Sequence, residues 1–310
     1  MKMQADTLKP IRTHLFMLVT CSPLMVFSAV AAFSNSSMKT TALAASVLFP
    51  ASLLPAIIRQ DRHEFEERDA ALILPWILLL IFVIPAIVGI SAKMHFPLHD
   101  SFFKNADHAL GFNVPAIVNW SVKHPYINSF LSYSYDSIYL LLPAACLLPA
   151  LLGKKEAAER FLISNTIAFL IALPIFTAFP AVGPWVGHAF PPSPEQKACE
   201  ASILALHGGG QGGPIGIVSF PSFHVIWAAL SAIALWNIKP LRTMASATAL
   251  LIVISTVTTG WHYASDVIGG LLVAAAAVVC ADIFYRQKQH ASATAFRFAA
   301  VNVAGAEGKQ

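Results

Sequence analysis

Three side chains in the last third of the chain have the types and spacing for nucleophilic and acid–base chemistry: His224, His262 and Asp266. His224 follows Pro221-Ser222-Phe223 and opens an apolar run, while His262 and Asp266 lie in the stretch Gly260-Trp261-His262-Tyr263-Ala264-Ser265-Asp266. On a helix, residues four apart share a face, so Asp266 can reach His262. A carboxylate that accepts the Nδ1–H of an imidazole fixes its tautomer and leaves Nε2 as a nucleophile or base. A helix from His224 to about Ile238, a turn at Lys239-Pro240-Leu241-Arg242 and a returning helix to about Thr259 separate the two histidines. At ~1.5 Å of rise per residue each leg covers about 25–27 Å, so the hairpin returns His262 to the depth of His224. Alone, an interfacial histidine is an ordinary headgroup contact and His-x-x-x-Asp an ordinary helix-start ion pair. Their combination on one face of one hairpin points to a site.

The elements that must position these groups follow from composition. The 310 residues are 56% hydrophobic and only 12% charged, against about 25% charged in soluble domains. Such a chain cannot cover its own surface in water. The expected fold is an all-α, polytopic membrane helix bundle. About eight apolar segments approach the ~20 residues that span a bilayer: 13–33, 39–58, 70–91, 130–152, 161–180, 222–238, 242–259 and 265–285. Several contain proline, which membrane helices tolerate. The first can alternatively be read as a signal peptide, because Ala29-Val30-Ala31 has the small-x-small form of a cleavage site. Of the 20 Lys and Arg residues, all but Lys39, Lys93, Lys104, Lys123 and Lys197 fall in one alternate set of connections or the termini. By the positive-inside rule both termini are expected to be cytoplasmic and segments 92–129 and 181–221 to face outward, in a plasma membrane, read as a bacterial inner membrane, with the site toward the periplasm. The domain division expected is 1–91 as about three N-terminal spans, 92–285 as the catalytic membrane domain with a six-helix core, and 286–310 as a cytoplasmic tail.

Segment 92–129 can hold a short helix along the membrane surface, anchored by Phe102, Phe103 and Phe112. Segment 181–221 reads as a lid or linker, and its HGGGQGGPIG run lacks the Gly-Lys-Ser/Thr of a P-loop. The four cysteines have no metal-type spacing, and Cys199 reads as lying in a polar loop. Trp185, Trp227 and Trp261 read as interfacial anchors.

The spans starting near Ser222 and Ser265 both begin on the expected outer face. Each presents unpaired N–H groups and the positive end of its dipole, the arrangement that binds phosphate. Ser222 at the cap position can bond the backbone or a phosphate oxygen. The chemistry is that of an anion site with a nucleophilic histidine, suited to a phosphate ester at headgroup level. Tyr135 and Asp136, near the outer end of the fourth span, are further candidates, since an acid within a membrane helix is costly. Asp107 and His108 are weaker ones. A proton-relay transporter would place ionisable groups near mid-bilayer, and the last three spans have none there.

Pro221-Ser222-Phe223-His224 and the stretch from Ser255 through Gly260-Trp261-His262 to Asp266 resemble the second and third motifs of the type 2 phosphatidic acid phosphatase superfamily. The resemblance covers roughly residues 100–285. It implies that His262 attacks phosphorus to form a phosphohistidine, that Asp266 orients it, and that His224 protonates the leaving alcohol and then activates the acceptor. It implies no metal and no other cofactor. Gly is usual where Phe223 stands, Arg where Thr256 stands, and the basic first motif is missing. In its place are Phe179-Pro180-Ala181-Val182-Gly183-Pro184-Trp185, so Pro180, Gly183 and Pro184 join Pro221, Ser222, Tyr135 and Asp136 as candidate substrate- or phosphate-binding residues. That pattern is more similar to the branch containing inositol phosphorylceramide synthase. Lys104, Lys123 and Lys197 are the outer-loop cations available to replace the missing ones. The partners implied are the bilayer and a membrane lipid, with an alcohol such as diacylglycerol or ceramide as acceptor in the transferase branch; no nucleic acid is expected. A catalytically inactive lipid-binding scaffold is the reading of another class.

Overall fold

The computed structural model describes residues 94, 96–152, 154–187, 190–210 and 220–307. The three N-terminal spans expected before residue 92, and the small-x-small site within the first, lie outside them. Among the described residues the regular structure is entirely helical: α1 (Asp100–Ala109), α2 (Val114–Val122), α3 (Pro125–Asp136), α4 (Ile138–Leu151), α5 (Lys155–Ala178), α6 (Pro194–His207), α7 (Phe223–Leu235), α8 (Lys239–Thr258) and α9 (Ala264–Glu307).

Four stretches are long and apolar enough to cross a membrane: Pro125–Pro149, Glu156–Ala178, Lys239–Thr258 and Ala264–Arg286. The expected span 222–238 is shorter than the sequence suggests. Its helix, α7, has 13 residues, about 20 Å, because Trp236–Ile238 turns into the Lys239-Pro240 start of α8. The expected span 130–152 falls largely within Pro125–Pro149, with a single irregular residue at Ser137 between α3 and α4. There the Ser137 hydroxyl bonds the Ser134 carbonyl, and Ser134 and Ser132 bond back to Phe130 and Asn128. Such back-bonding competes with the helical ladder. At the other end of the chain, α9 continues to Glu307 through the segment read as a tail.

α4, α5, α7, α8 and α9 share the main core. Alanines recur among its larger apolar residues: Ala172, Ala228, Ala245, Ala249, Ala277 and Ala281 are buried, whereas Leu250, Ile254, Leu271, Leu272 and Val279 face outward. This is the pattern expected in lipid, where close backbone approach rather than apolar burial favours helix association. At one end α5 and α9 are tied by polar groups. Arg160 pairs with Glu156 and Asp282 and lies over the Tyr285 ring, whose hydroxyl donates to Glu159. His262 and Asp266 are at the other end of α9, about 24 Å away from Asp282 along the helix.

The described part of segment 92–129 holds the short helices α1 and α2 and the start of α3. On α1, Asp100, Phe103 and Asp107 follow an i, i+3, i+7 pattern; Phe103 and Asp107 are buried and Phe102 is exposed. Phe103 therefore packs inward, against Phe220 and Tyr263, and does not anchor the helix in lipid. Within the expected lid, α6 starts at a capping box in which Ser193 accepts from the Gln196 N–H and Gln196 accepts from the Ser193 N–H. Cys199 lies on this helix and is buried, not in a polar loop; burial, then the nearby Glu200, push its thiol up to about 11.

Candidate active site

The α7–α8 hairpin and the start of α9 bring the two histidines together, with ring centroids 6.0 Å apart. His262 is held by the way α8 ends. Gly260 adopts φ +79°, its N–H bonds the Val257 carbonyl, and the Trp261 and His262 N–H groups bond the Thr256 carbonyl. This left-handed cap suits glycine, and a Cβ there would also strike the Phe190 ring at 2.7 Å. Gln196, buried on α6, donates to the carbonyls of Thr259 and Gly260. It closes the α8 terminus from outside. The Ser-x-x-Gln capping signature at 193–196 was visible in the sequence, but its reach to Gly260 was not.

His262 Nδ1 lies 3.2 Å from Asp266 Oδ2, the pair is almost fully buried, and the same oxygen accepts the Tyr263 N–H at 3.0 Å. One carboxylate thus orients the ring and caps the backbone beneath it. Ser222 is the N-cap of α7, its hydroxyl accepting from the Val225 N–H at 3.4 Å, and its own N–H bonds the Asp266 carbonyl at 3.2 Å. The crossing of α7 and α9 is close because Gly270 lies beneath the Ser222 carbonyl. A Cβ on Gly270 would sit 2.8 Å from that oxygen and 3.0 Å from Val225 Cβ. Gly270→Val is expected to push the start of α7 off α9, costing about 1–3 kcal/mol of stability. A lower unfolding temperature in detergent, accompanied by loss of turnover, checks this.

The start of α9 differs from expectation. The N–H groups of Ala264 and Ser265 are not open to an anion: the buried Asp107 carboxylate accepts both, at 2.9 and 2.7 Å. Charge-assisted bonds of this kind contribute about 1.5–3 kcal/mol each. Asp107 therefore docks α1 onto the segment beside His262, while the neighbouring His108 is exposed. Asp100, one face along, accepts the N–H groups of Val182 and Gly183, and the Tyr263 hydroxyl lies 3.0 Å from both Asp100 Oδ1 and the Gly183 carbonyl. Burial, and next the Asp100 carboxylate, hold the Tyr263 phenol far above its ordinary range, so it remains a hydroxyl donor.

The 180–184 turn is thereby a buttress: the Pro180 carbonyl accepts the His99 N–H, Gly183 is gripped by Asp100 and Tyr263, and Pro184 is buried beside the cleft of about 270 Å³ that Lys104 and His108 also line. Pro221 is buried and follows a cis peptide bond, next to the cap residue Ser222. Lys123 closes α2, and Lys197 is exposed on α6.

Of the adjacent candidates at the end of α3, Tyr135 faces His224. Its ring stacks on the imidazole at 4.0 Å and its hydroxyl lies 3.2 Å from Nδ1. Asp136 is exposed. Neighbouring helical positions point about 100° apart, so only one of the two can face inward. Trp185 is buried against Trp261, and Trp261 stacks at 6.0 Å on Tyr135. These two tryptophans belong to the wall of the site, which corrects their reading as interfacial anchors. Tyr139 and the half-buried Trp227 complete the rings around His224.

The chain matches the family model of the PAP2 superfamily over residues 102–280. Neither the curated proteins nor the solved structures compared with it gave a match. The matched region is more than half of the chain and contains Asp107, Tyr135, Ser222, His224, His262 and Asp266, so the chain belongs to the PAP2 superfamily, the type 2 phosphatidic acid phosphatases and their relatives.

Proposed function

We propose that this PAP2 superfamily member is a membrane lipid phosphatase or phosphotransferase that works through a phosphohistidine. His262 is the nucleophile, Asp266 its orienter and His224 the general acid and base. The observation that carries the reading is the pairing of two unlike histidines 6.0 Å apart, of which one alone has a carboxylate on Nδ1. His262 Nε2 attacks phosphorus as the bond to the leaving oxygen breaks, and protonated His224 gives that oxygen a proton. Neutral His224 then takes a proton from water or an alcohol, which attacks the phosphorus as the P–N bond breaks. The α7 N-terminus, capped by Ser222 beside His224, supplies dipole stabilisation to the phosphoryl oxygens. The substrate is a lipid phosphate or phosphodiester. The charge bias of the connections supports an outward-facing site and cytoplasmic termini in a plasma membrane, and the reaction is assigned to the expected catalytic membrane domain, residues 92–285.

Transfer to an alcohol, as in the inositol phosphorylceramide synthase branch, is the second reading. It is favoured by the aromatic walls around His224, contributed by Tyr135, Tyr139 and Trp227. A dianionic monoester brought into such surroundings needs more countercharge than a monoanionic phosphodiester.

The test is purified protein in detergent with labelled phosphatidic acid, diacylglycerol pyrophosphate, undecaprenyl pyrophosphate or phosphatidylinositol, each with and without diacylglycerol or ceramide. Free phosphate identifies hydrolysis, and a labelled lipid product identifies transfer. Either is expected to persist with a chelator and to pass through an acid-labile, base-stable phosphoprotein. Turnover without such an adduct would rule out the covalent route.

A further inference from the structure

The two histidines are held by different chemistry, and the difference gives Tyr135 a role. Asp266 can only accept, so it suits a ring that must keep Nδ1 protonated and attack through Nε2. His224 has no carboxylate partner in the bonds described for it. It is clasped by an uncharged ring: Tyr135 stacks on it at 4.0 Å with planes 20° apart, and the phenol oxygen lies 3.2 Å from Nδ1. Behind Tyr135, Trp261 stacks at 6.0 Å with planes 13° apart, and Trp185 meets Trp261 edge-on. Trp261 is the residue before His262. The stack therefore ties the plane of one histidine to the backbone beside the other. His224 Nε2 is buried without a hydrogen-bond partner among the described residues.

We infer that Tyr135 is the positioning residue of His224, and that the Trp261–Tyr135–His224 stack sets the distance between the acid/base and the nucleophile. This rests on the roles proposed above for the histidines. An acid/base group must give up a proton and regain one in every cycle. A second buried carboxylate would hold its ring in the charged form and add repulsion toward a phosphate. A phenol holds the ring through its face and meets Nδ1 without adding charge, leaving Nε2 to exchange the proton with the leaving and entering oxygens.

The test compares leaving groups. Alkoxide departure needs the proton from His224, and p-nitrophenolate departure does not. Single-turnover leaving-group release is measured with dioctanoyl phosphatidic acid and with p-nitrophenyl phosphate, for wild type, Tyr135→Phe and Tyr135→Leu, with His262→Ala as a separate control. Tyr135→Leu is expected to slow release of the dioctanoylglycerol by about 10–100-fold, a part of the ~10²–10⁴ available to acid–base catalysis, with KM within about threefold and p-nitrophenol release within about threefold. Tyr135→Phe, which keeps the ring face, falls between. Equal losses on both substrates, a change confined to KM, or no change overturns the inference. Absence of the phosphoprotein adduct in wild type, or unimpaired turnover in His262→Ala, marks failure of the phosphohistidine reading and not of this one. A substrate-independent measurement accompanies these: in protein labelled at histidine, the His224 ring resonances, assigned with His224→Gln, are expected to lose their ring-current displacement in Tyr135→Leu while those of His262 stay in place. Unmoved His224 resonances overturn the stacking role whichever lipid is turned over.

Discussion

His262→Ala is expected to lower turnover of the lipid substrate by at least about 10³-fold and to abolish the phosphoprotein adduct. The size follows from what is lost. Among the side chains at this site, His262 alone couples an imidazole to a buried carboxylate on Nδ1. His224 cannot replace it, because its Nδ1 faces the Tyr135 phenol, which does not fix the proton there as an acceptor-only carboxylate does. The fold survives the change: the bonds that shape this turn are made by the backbone, from the Trp261 and His262 N–H groups to the Thr256 carbonyl. The Tyr263 N–H keeps its acceptor on Asp266. An unfolding temperature close to wild type, alongside the loss of turnover and adduct, separates a chemical defect from a folding one. Wild-type turnover in this variant would falsify the mechanism.

The hairpin geometry was legible in the sequence because it depends on local signals. Ser222 is a helix cap and Lys239-Pro240 is a helix start after a turn, although the legs, of 13 and 20 residues, are less equal than the apolar runs suggest. The i, i+4 spacing drew attention to Asp266, but His262 lies two residues before α9, and the turn after Gly260 is what brings its ring to the carboxylate. What the sequence hid lies in contacts between distant segments. Asp107 reaches residues 264 and 265 across more than half of the matched region, and an N-terminus that looked open to phosphate is occupied by a carboxylate. Composition marks Asp107 as polar and interfacial, and nothing local says which backbone it will meet. The same holds for Gln196. At residues 135 and 136 both candidates were visible, but the side facing His224 depends on the rotation of α3, which is set by its packing on α8. Gly270 sits in an apolar run with no local sign of its purpose, because the close passage of α7 over α9 needs the crossing point. The short α7 has a similar cause: its apolar run continues past Leu235, and the tertiary turn at Trp236–Ile238 ends the helix earlier than hydropathy does.

Asp266 offers a sharper test than the nucleophile, because its Oδ2 has two jobs. It lies 3.2 Å from His262 Nδ1 and accepts the Tyr263 N–H at 3.0 Å. In Asp266→Asn, the amide oxygen can take that place and accept from both donors, so the tautomer of His262 is kept while the negative charge is lost. If the amide turned over, its NH₂ would face two donors, and the Tyr263 N–H would be left buried and unpaired at a cost of about 1–3 kcal/mol. The first orientation is therefore the stable one. The loss in Asp266→Asn is expected to be about 10²-fold in kcat, smaller than the ~10⁴-fold that accompanies a wrong tautomer in a histidine-based triad. It reflects only the missing charge opposite an imidazole that becomes cationic as it is phosphorylated. Asp266→Ala removes the acceptor as well, and is expected to lose at least about 10³-fold together with a lower unfolding temperature, because the α9 start then loses its cap. Rates of adduct formation in the two variants decide the matter. A graded loss supports a carboxylate that orients and stabilises, whereas equal and complete loss in both assigns Asp266 a role that depends on its charge alone.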